Sequence, residues 1–423
     1  MKPDWLSITE ARAAVLDAIS PLPADERALG DALGSVLARG VRAPLDLPPW
    51  DNSAMDGFAL RGEDVLRAST AEPVELRVVG EVAAGHFAER AIARGEAMRI
   101  MTGAPIPEGA DTVIRVEHTE GGDAGRVRIL SDADAGRNIR ARGEDVRRGA
   151  EVFAAGTLLG AAEIGVAASL GQASLSVVRR PLVALLTSGD ELVEVEQFDE
   201  VLSGRRIVSS NSYALAAQLH EAGCEVRPLG IAADSRESLL RHLEGASGCD
   251  ALITSAGISM GEHDLMRDVL REMGAEVAFW RVRMRPGSPF AFGRVGALGG
   301  IPWFGLPGNP VSSMVTFELF ARPALLKMAG REAIFPPTIG VLMEDRYPAA
   351  PGLTHFARVR LEHDAGGEVR ARLTGPQGSG LLTSMAAADA LLVIPPDRGG
   401  AEPGDRLRAI VLGGAPLRTS PGY

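Results

Sequence analysis

Apolar residues recur along this chain in two rhythms, one helical and one strand-like, and the change of rhythm is marked by proline and glycine. Residues 7 to 19, SITEARAAVLDAI, put apolar positions at helical spacing behind a Ser7 and Glu10 capping box, which predicts an opening helix. The proline-rich APLDLPPWDNS stretch (43 to 53) breaks helix and central strand alike, so a new unit is predicted to begin near Trp50. Between residues 74 and 130 the runs VELRVVGEV, AMRIM and DTVIRVEH alternate with Gly and Pro clusters, the pattern of a small β-rich domain. Gly149 to Val178 returns to mixed structure and is predicted to rejoin residues 25 to 48, which makes the β-rich part an insertion.

From Pro181 buried-strand runs alternate with helices. PLVALLTSG precedes a helix from about Ser212 to Glu221, CEVRPLG precedes one opened by Asp234, and CDALITSAG precedes one from about Asp264 to Met273. AEVAFWRVRM follows, and then WFGLPGNP runs into VSSMVTFELFARPALLKM. Strands alternating with helices predict an α/β fold with a doubly wound parallel sheet. The tail from about Pro336 reverts to strand-like pieces, predicting a small β-barrel or sandwich.

Composition narrows the class. At 423 residues the chain is too long for one core, and its 46% hydrophobic and 23% charged residues read as a soluble globular protein of several domains. A net charge of -11 gives no global field for nucleic acid or anionic lipid, so an anion must be held locally. Lys2 and Lys327 are the only lysines, and arginine supplies the rest of the positive charge. Cys224 and Cys249 lack ligand spacing, and no apolar segment is long enough to span a bilayer, so the cytoplasm is the expected compartment and no membrane partner is expected.

Ligands of open parallel sheets bind beyond the carboxyl ends of the strands. Three loops there carry candidate chemistry. Thr187, Ser188, Gly189, Asp190 and Glu191 group two hydroxyls and two carboxylates after a strand; Mg²⁺ is a fitting occupant, and helix capping by Asp190 explains the loop equally well. TSAGISMGEHD holds Ser255 and Ser259 and ends in Glu262 and Asp264, where small residues permit close approach of a ligand. Gly308, Asn309 and Ser312 belong to LPGNPVSS, a turn into a helix that suits an oxyanion but lacks the Gly-Lys-Ser/Thr ending of a nucleotide loop. Arg281, Arg283 and Arg285 alternate along a predicted strand, and guanidinium contacts to an oxyanion contribute roughly 1.5 to 3 kcal/mol each. A solvated edge-strand face is the other reading. The seven histidines show no metal spacing, and no Ser, His and Asp set is assignable.

Taken together, DNSAMDGFA, RIMTGAPIPEGAD, RGED, SGDE, SAGISMGEHD, FAFG, LPGNPVS and PQGSG resemble, in order and over nearly the whole chain, the molybdopterin molybdenumtransferase family, which includes bacterial MoeA and the E domain of gephyrin. The resemblance implies an elongated homodimer of four-domain subunits. Residues 1–24 and 176–330 would form a doubly wound molybdopterin-binding domain, 25–49 and 140–175 a linking mixed α/β domain, 50–139 an inserted β-rich domain and 331–423 a C-terminal β-barrel domain. It implies insertion of molybdate into adenylylated molybdopterin with a divalent ion, Mg²⁺, and release of AMP. Transient contact with an adenylyltransferase and with recipient molybdoenzymes is expected, and nucleic acid is not.

Carried over by motif, the family's functional positions fall on Asp56, Thr102, Arg140, Asp145, Glu191, Asp234 and Asp264. Asp264 is the leading metal ligand with Asp190 or Glu191 assisting, and Asp56, Thr102 and Asp145 complete the site from the partner subunit. The chain departs from the family by Arg281, Arg285 and Ser288 at usual lysines, Ala256 at a usual glycine and Leu265 at a usual tyrosine. Two other readings are a molybdopterin adenylyltransferase, which shares the doubly wound domain, and a gephyrin-like peptide-binding scaffold.

Overall fold

The computed structural model describes residues 5–122, 124–256, 265–363 and 366–413. The chain divides into two compact units, one of Met1–Arg27, Ala32–Ala38 and Ser176–Tyr423, the other of Ala28–Asp31 and Arg39–Leu175.

The first unit opens with α1 (Ile8–Asp17), and its capping box is present: the Ser7 hydroxyl accepts from the Glu10 amide at 3.2 Å and the Glu10 carboxylate accepts from the Ser7 amide at 2.8 Å. Six strands form its central sheet: β1 (Leu182–Ser188), β2 (Glu225–Ala232), β3 (Ala251–Ser255), β4 (Ala275–Phe279), β5 (Ala291–Val295) and β6 (Ile301–Leu306). Their order is β2-β1-β3-β6-β5-β4. The first four run parallel, while β5 and β4 close the edge as antiparallel neighbours.

Strands β1, β3 and β6 are buried almost end to end, as a sheet covered on both faces requires. Pleating sends alternate side chains to two cores. Val183, Leu185, Ile253 and Phe304 meet α1 and α2 (Ser210–Glu221) on one face. Ala184, Leu186, Leu252 and Trp303 meet α3 (Arg236–Glu244) and α4 (Leu265–Glu272) on the other. Asp234 does not open α3. Its neighbour Ser235 is extended and accepts from the Ser238 amide at 3.3 Å, which leaves the Asp234 carboxylate outside the cap.

The arginine segment is also placed differently from its expected strand. Strand β4 ends at Phe279, Val282 bridges Leu6, and Met284–Arg285 pairs in parallel with Thr354 and His355 of the C-terminal sheet. The alternation survives, with Val282 and Met284 buried and Arg283 and Arg285 exposed, but the partner strand belongs to the barrel. That barrel orders Thr354–His363, Val369–Leu373, Thr338–Met343, Arg406–Val411 and Ala390–Ile394, and pairing of the last with the first closes it. Closure removes the exposed edges of a five-stranded sheet.

The second unit holds a six-stranded sheet in the order Thr112–Arg115, Gly57–Leu60, Glu96–Ile100, Val74–Val82, Arg126–Ile129 and Thr119–Gly121. Outside it, Asn52–Ser53 pairs with Ile139–Arg140 and Val41–Arg42 with Glu151–Phe153, and helix Ala161–Ser169 follows. Among the described residues no helix is long and apolar enough to cross a membrane.

Candidate functional site

In the order β2-β1-β3-β6, chain connections leave β1 toward β2 and return past it to β3, which opens a crevice at the carboxyl ends of β1 and β3. A cleft of about 510 Å³ lies there, lined by Thr187, Glu191, Ser209, Asn211, Ser255, Ala256 and Pro307 to Pro310, with Leu192, Ile207, Val208 and Pro289 as apolar walls. Apolar walls with a few convergent polar groups are the usual make-up of a small-molecule site. Thr187, Ser209 and Ser212 form a hydroxyl cluster beneath it, with Ser209 3.2 Å from Thr187.

Asn211, in the first turn of α2, was missed by sequence reasoning. Its side-chain nitrogen donates to the Ser255 hydroxyl and the Gly308 carbonyl, each at 2.8 Å. Since a carbonyl only accepts, the nitrogen must face Gly308, and the Asn211 oxygen is left buried without a partner. Such an orphan costs about 1–3 kcal/mol. Next to Ser255, Ala256 sits at φ 75°, a left-handed conformation that costs a residue with a β-carbon roughly 1–2 kcal/mol. Its methyl would lie 3.4 Å from a β-carbon placed on Gly308, so the two loops approach closely.

In the first loop, Gly189 adopts φ 151°, and its amide donates to the Ala232 carbonyl at 3.1 Å. Asp190 accepts from the Asp234 amide at 3.0 Å, which joins the ends of β1 and β2. Partial desolvation raises the Asp234 carboxyl from its ordinary value, a hydrogen bond with Asp190 opposes this, and the charges of Asp190 and Glu191 add to the rise. Crowded carboxylates of this kind fit a divalent cation, and Mg²⁺ needs only one or two of them beside water and phosphate oxygens. Among the described residues no group of three His, Cys, Asp or Glu is arranged to hold a metal. Ser259, Glu262 and Asp264 lie outside the described residues.

Ser188 and Ser312 are buried, at 3% and 4% exposure, so neither offers an open hydroxyl in this conformation. Asn309 is the N-cap of the helix Pro310–Thr316, and the Val311 amide already donates to the Ser379 carbonyl at 3.1 Å.

The arginines separate. Arg281 stacks over the Trp5 ring at 5.7 Å. Arg285 lines a second cleft of about 470 Å³ with Arg346, Tyr347, His355 and the Gly375–Gly378 turn. Below this turn Arg358 is fully buried, donating to the Ser384 hydroxyl at 2.8 Å and to the Pro376 and Gly378 carbonyls at 3.2 and 3.1 Å. Its bonded partners are neutral, and burial pulls its pKa down. Tyr347 and His355 share a 3.0 Å hydrogen bond, and burial with the Arg285 charge lowers the His355 pKa. This collection suits an oxyanion by charge. Arg358 was legible only as one polar residue inside the strand THFARVRL.

Asp56, Thr102, Arg140 and Asp145 belong to the second unit. One Asp56 oxygen accepts from both the amide and the hydroxyl of Thr102, each at 2.7 Å, and these bonds hold its carboxyl below the usual range. Arg140 pairs across the ladder with Asn52, and the Asp145 amide donates to the Leu47 carbonyl at 3.1 Å. Asp56, Arg140 and Asp145 have exposed side chains. The structure thus joins Asp56 directly to Thr102 and brings Asp190 to Asp234 and Ser255 to Gly308.

Three family models match in succession: the MoeA N-terminal region (domains I and II) over residues 6–171, a probable molybdopterin-binding domain over 184–327, and the MoeA C-terminal region (domain IV) over 341–412. A molybdopterin molybdenumtransferase of Haemophilus influenzae is 33% identical over 405 residues, covering 95% of this chain and 97% of that protein. Molybdopterin molybdenumtransferase 2 of Mycobacterium tuberculosis is 38% identical over 375 residues, covering 87% and 90%. The crystal structure of a molybdopterin biosynthesis MoeA protein from Pyrococcus horikoshii superposes with a TM-score of 0.79 at 29% identity, covering 96% of this chain and all of that one.

Proposed function

The chain belongs to the molybdopterin molybdenumtransferase family, and from that membership we propose how its residues serve the insertion of molybdate into adenylylated molybdopterin with release of AMP. The observation that carries the reading is the cleft between β1, β3 and β6, which lies within the segment matching the molybdopterin-binding domain. The MoeA regions on both sides of that segment favour this transferase over an adenylyltransferase.

Ser255, the Gly308–Asn309 backbone and, after a local shift, Ser188 and Ser312 bind the phosphates. Ser259 is assigned to the same substrate from its place in the family motif, and Gly189 lets Asp190 and Glu191 approach it. Asp190 and Glu191, with Asp264, hold Mg²⁺, which when bound neutralises charge on the pyrophosphate. Arg285, from the second cleft, and Arg281, beside Trp5, are assigned to substrate oxyanions from separate positions. Arginine stays charged near neutral pH, so these positions bind and do not transfer protons. Asp234, which the Asp190 carboxylate ties to the same loop through its amide, joins Glu191 in the catalytic set. Asp56, Thr102, Arg140 and Asp145 complete the site across a homodimer working in the cytoplasm.

The test supplies adenylylated molybdopterin, molybdate and Mg²⁺, then measures AMP release and reconstitution of a molybdenum-free apoenzyme. Both are expected, and a folded chain that yields neither refutes the reading. ATP with unadenylylated molybdopterin should give no adenylylated product, and its formation would point to the adenylyltransferase.

A further inference from the structure

Two locally unfavourable features meet at one wall of the principal cleft. The Asn211 side-chain oxygen is buried without a partner, and Ala256 holds a left-handed backbone. Each is removable by one substitution, to an apolar isostere at 211 and to glycine at 256. Strain concentrated where a ligand binds points to geometry held for function.

The Asn211 nitrogen explains what is held. With both protons used, on the Ser255 hydroxyl and the Gly308 carbonyl, it ties the end of β3 to the turn after β6 from the first turn of a third element, α2. The other neighbours of the Ser255 hydroxyl are distant, the Pro307 carbonyl at 3.4 Å and the Ser313 hydroxyl at 3.5 Å. Without the amide, that hydroxyl turns toward them and the Gly308 carbonyl loses its cross-link.

We infer that Asn211 is the positioning residue of this cleft: it staples the Ser255–Ala256 wall to the Pro307–Asn309 turn and fixes the spacing at which their hydroxyl and backbone groups meet the phosphate-bearing substrate. The inference rests on the function proposed above and assigns Asn211 no bond to substrate.

Two variants test it, with AMP release from adenylylated molybdopterin as the assay. Asn211→Leu keeps the branched outline, with somewhat more bulk, and removes both donors and the orphan acceptor. Asn211→Asp keeps the shape but sets an oxygen against the Gly308 carbonyl. Both are expected to raise KM roughly tenfold or more with kcat changed less than about threefold, because lost positioning of bound phosphate weakens ground and transition states alike. Asn211→Leu is expected to keep its melting temperature within about 2 °C of the parent, a readout that separates positioning from scaffolding. Unchanged KM in both variants overturns the staple, and so does loss of the folded state in both, which makes Asn211 a structural residue. A parent chain that releases no AMP overturns the functional reading itself, and the inference with it, before any variant is compared.

Discussion

Thr254, one residue before Ser255, offers the cleanest measure of how firmly the cleft is supported. Its hydroxyl accepts from the Trp303 ring nitrogen at 2.9 Å, and both residues are 0% exposed. Thr254→Val keeps the shape and exchanges the hydroxyl for a methyl. The indole N–H is then buried without a partner, a loss of about 1–3 kcal/mol, while the added methyl recovers roughly 0.8 kcal/mol of apolar burial. The net destabilisation is about 0.2–2.2 kcal/mol, centred near 1, which for a body of this size lowers the melting temperature by roughly 2–4 °C at the centre and up to about 8 °C. Scanning calorimetry of the parent, Thr254→Val, Trp303→Phe and the double variant completes a cycle with an expected coupling of about 1 kcal/mol. A Thr254→Val chain that melts with the parent, or a cycle that is simply additive, refutes the claim that this bond braces the strand.

Two further outcomes follow from bonds already described. Thr102→Val removes one of the two donors to Asp56, so the Asp56 carboxyl moves back toward its ordinary range; AMP release should fall about tenfold while the melting temperature, at this exposed site, stays within roughly 2 °C. His355 has a folded pKa below its unfolded value, so as pH falls below about 6.5 the unfolded chain takes the proton first. Its contribution is therefore complete above that pH and is lost as pH drops through the depressed folded value, and His355→Gln should flatten the decline of the urea midpoint between about pH 7.5 and 5.5. An equal slope in the variant would remove His355 from the account.

Much of the scaffold was legible because buried parallel strands leave unbroken apolar runs, and because glycine, proline and capping residues mark where those runs end. The loops at Thr187–Glu191, Ser255 and Leu306–Pro310 were found that way, and three of them border one cleft. Direction was not legible: AEVAF and AFGRV carry the same apolar signal whether they run with or against their neighbours, and they form the antiparallel edge. The Arg281–Arg285 alternation was correct in period but silent about which sheet would accept it. Asn211 escaped because the predicted helix began at Ser212, one residue beyond it, and because a polar residue at a helix start reads as a cap unless its tertiary partners are known. Asp234 carries the same capping signal, while the adjacent Ser235 fills that place.

The two-residue strand Met284–Arg285 has a bearing on how this architecture can be taken apart. Leaving the central sheet, the chain lends these residues to the rim of the barrel, where the Thr354 amide also donates to the Arg283 carbonyl at 3.1 Å. The barrel is therefore not a cassette that can be exchanged by cutting in the connection near residue 330. A chimera spliced there would lay a foreign barrel strand against a native partner whose register was set by a different sequence. Recombination with its junction before Met284, so that Met284–Arg285 travel with the barrel, keeps the ladder and the Arg285 cleft in one inheritance.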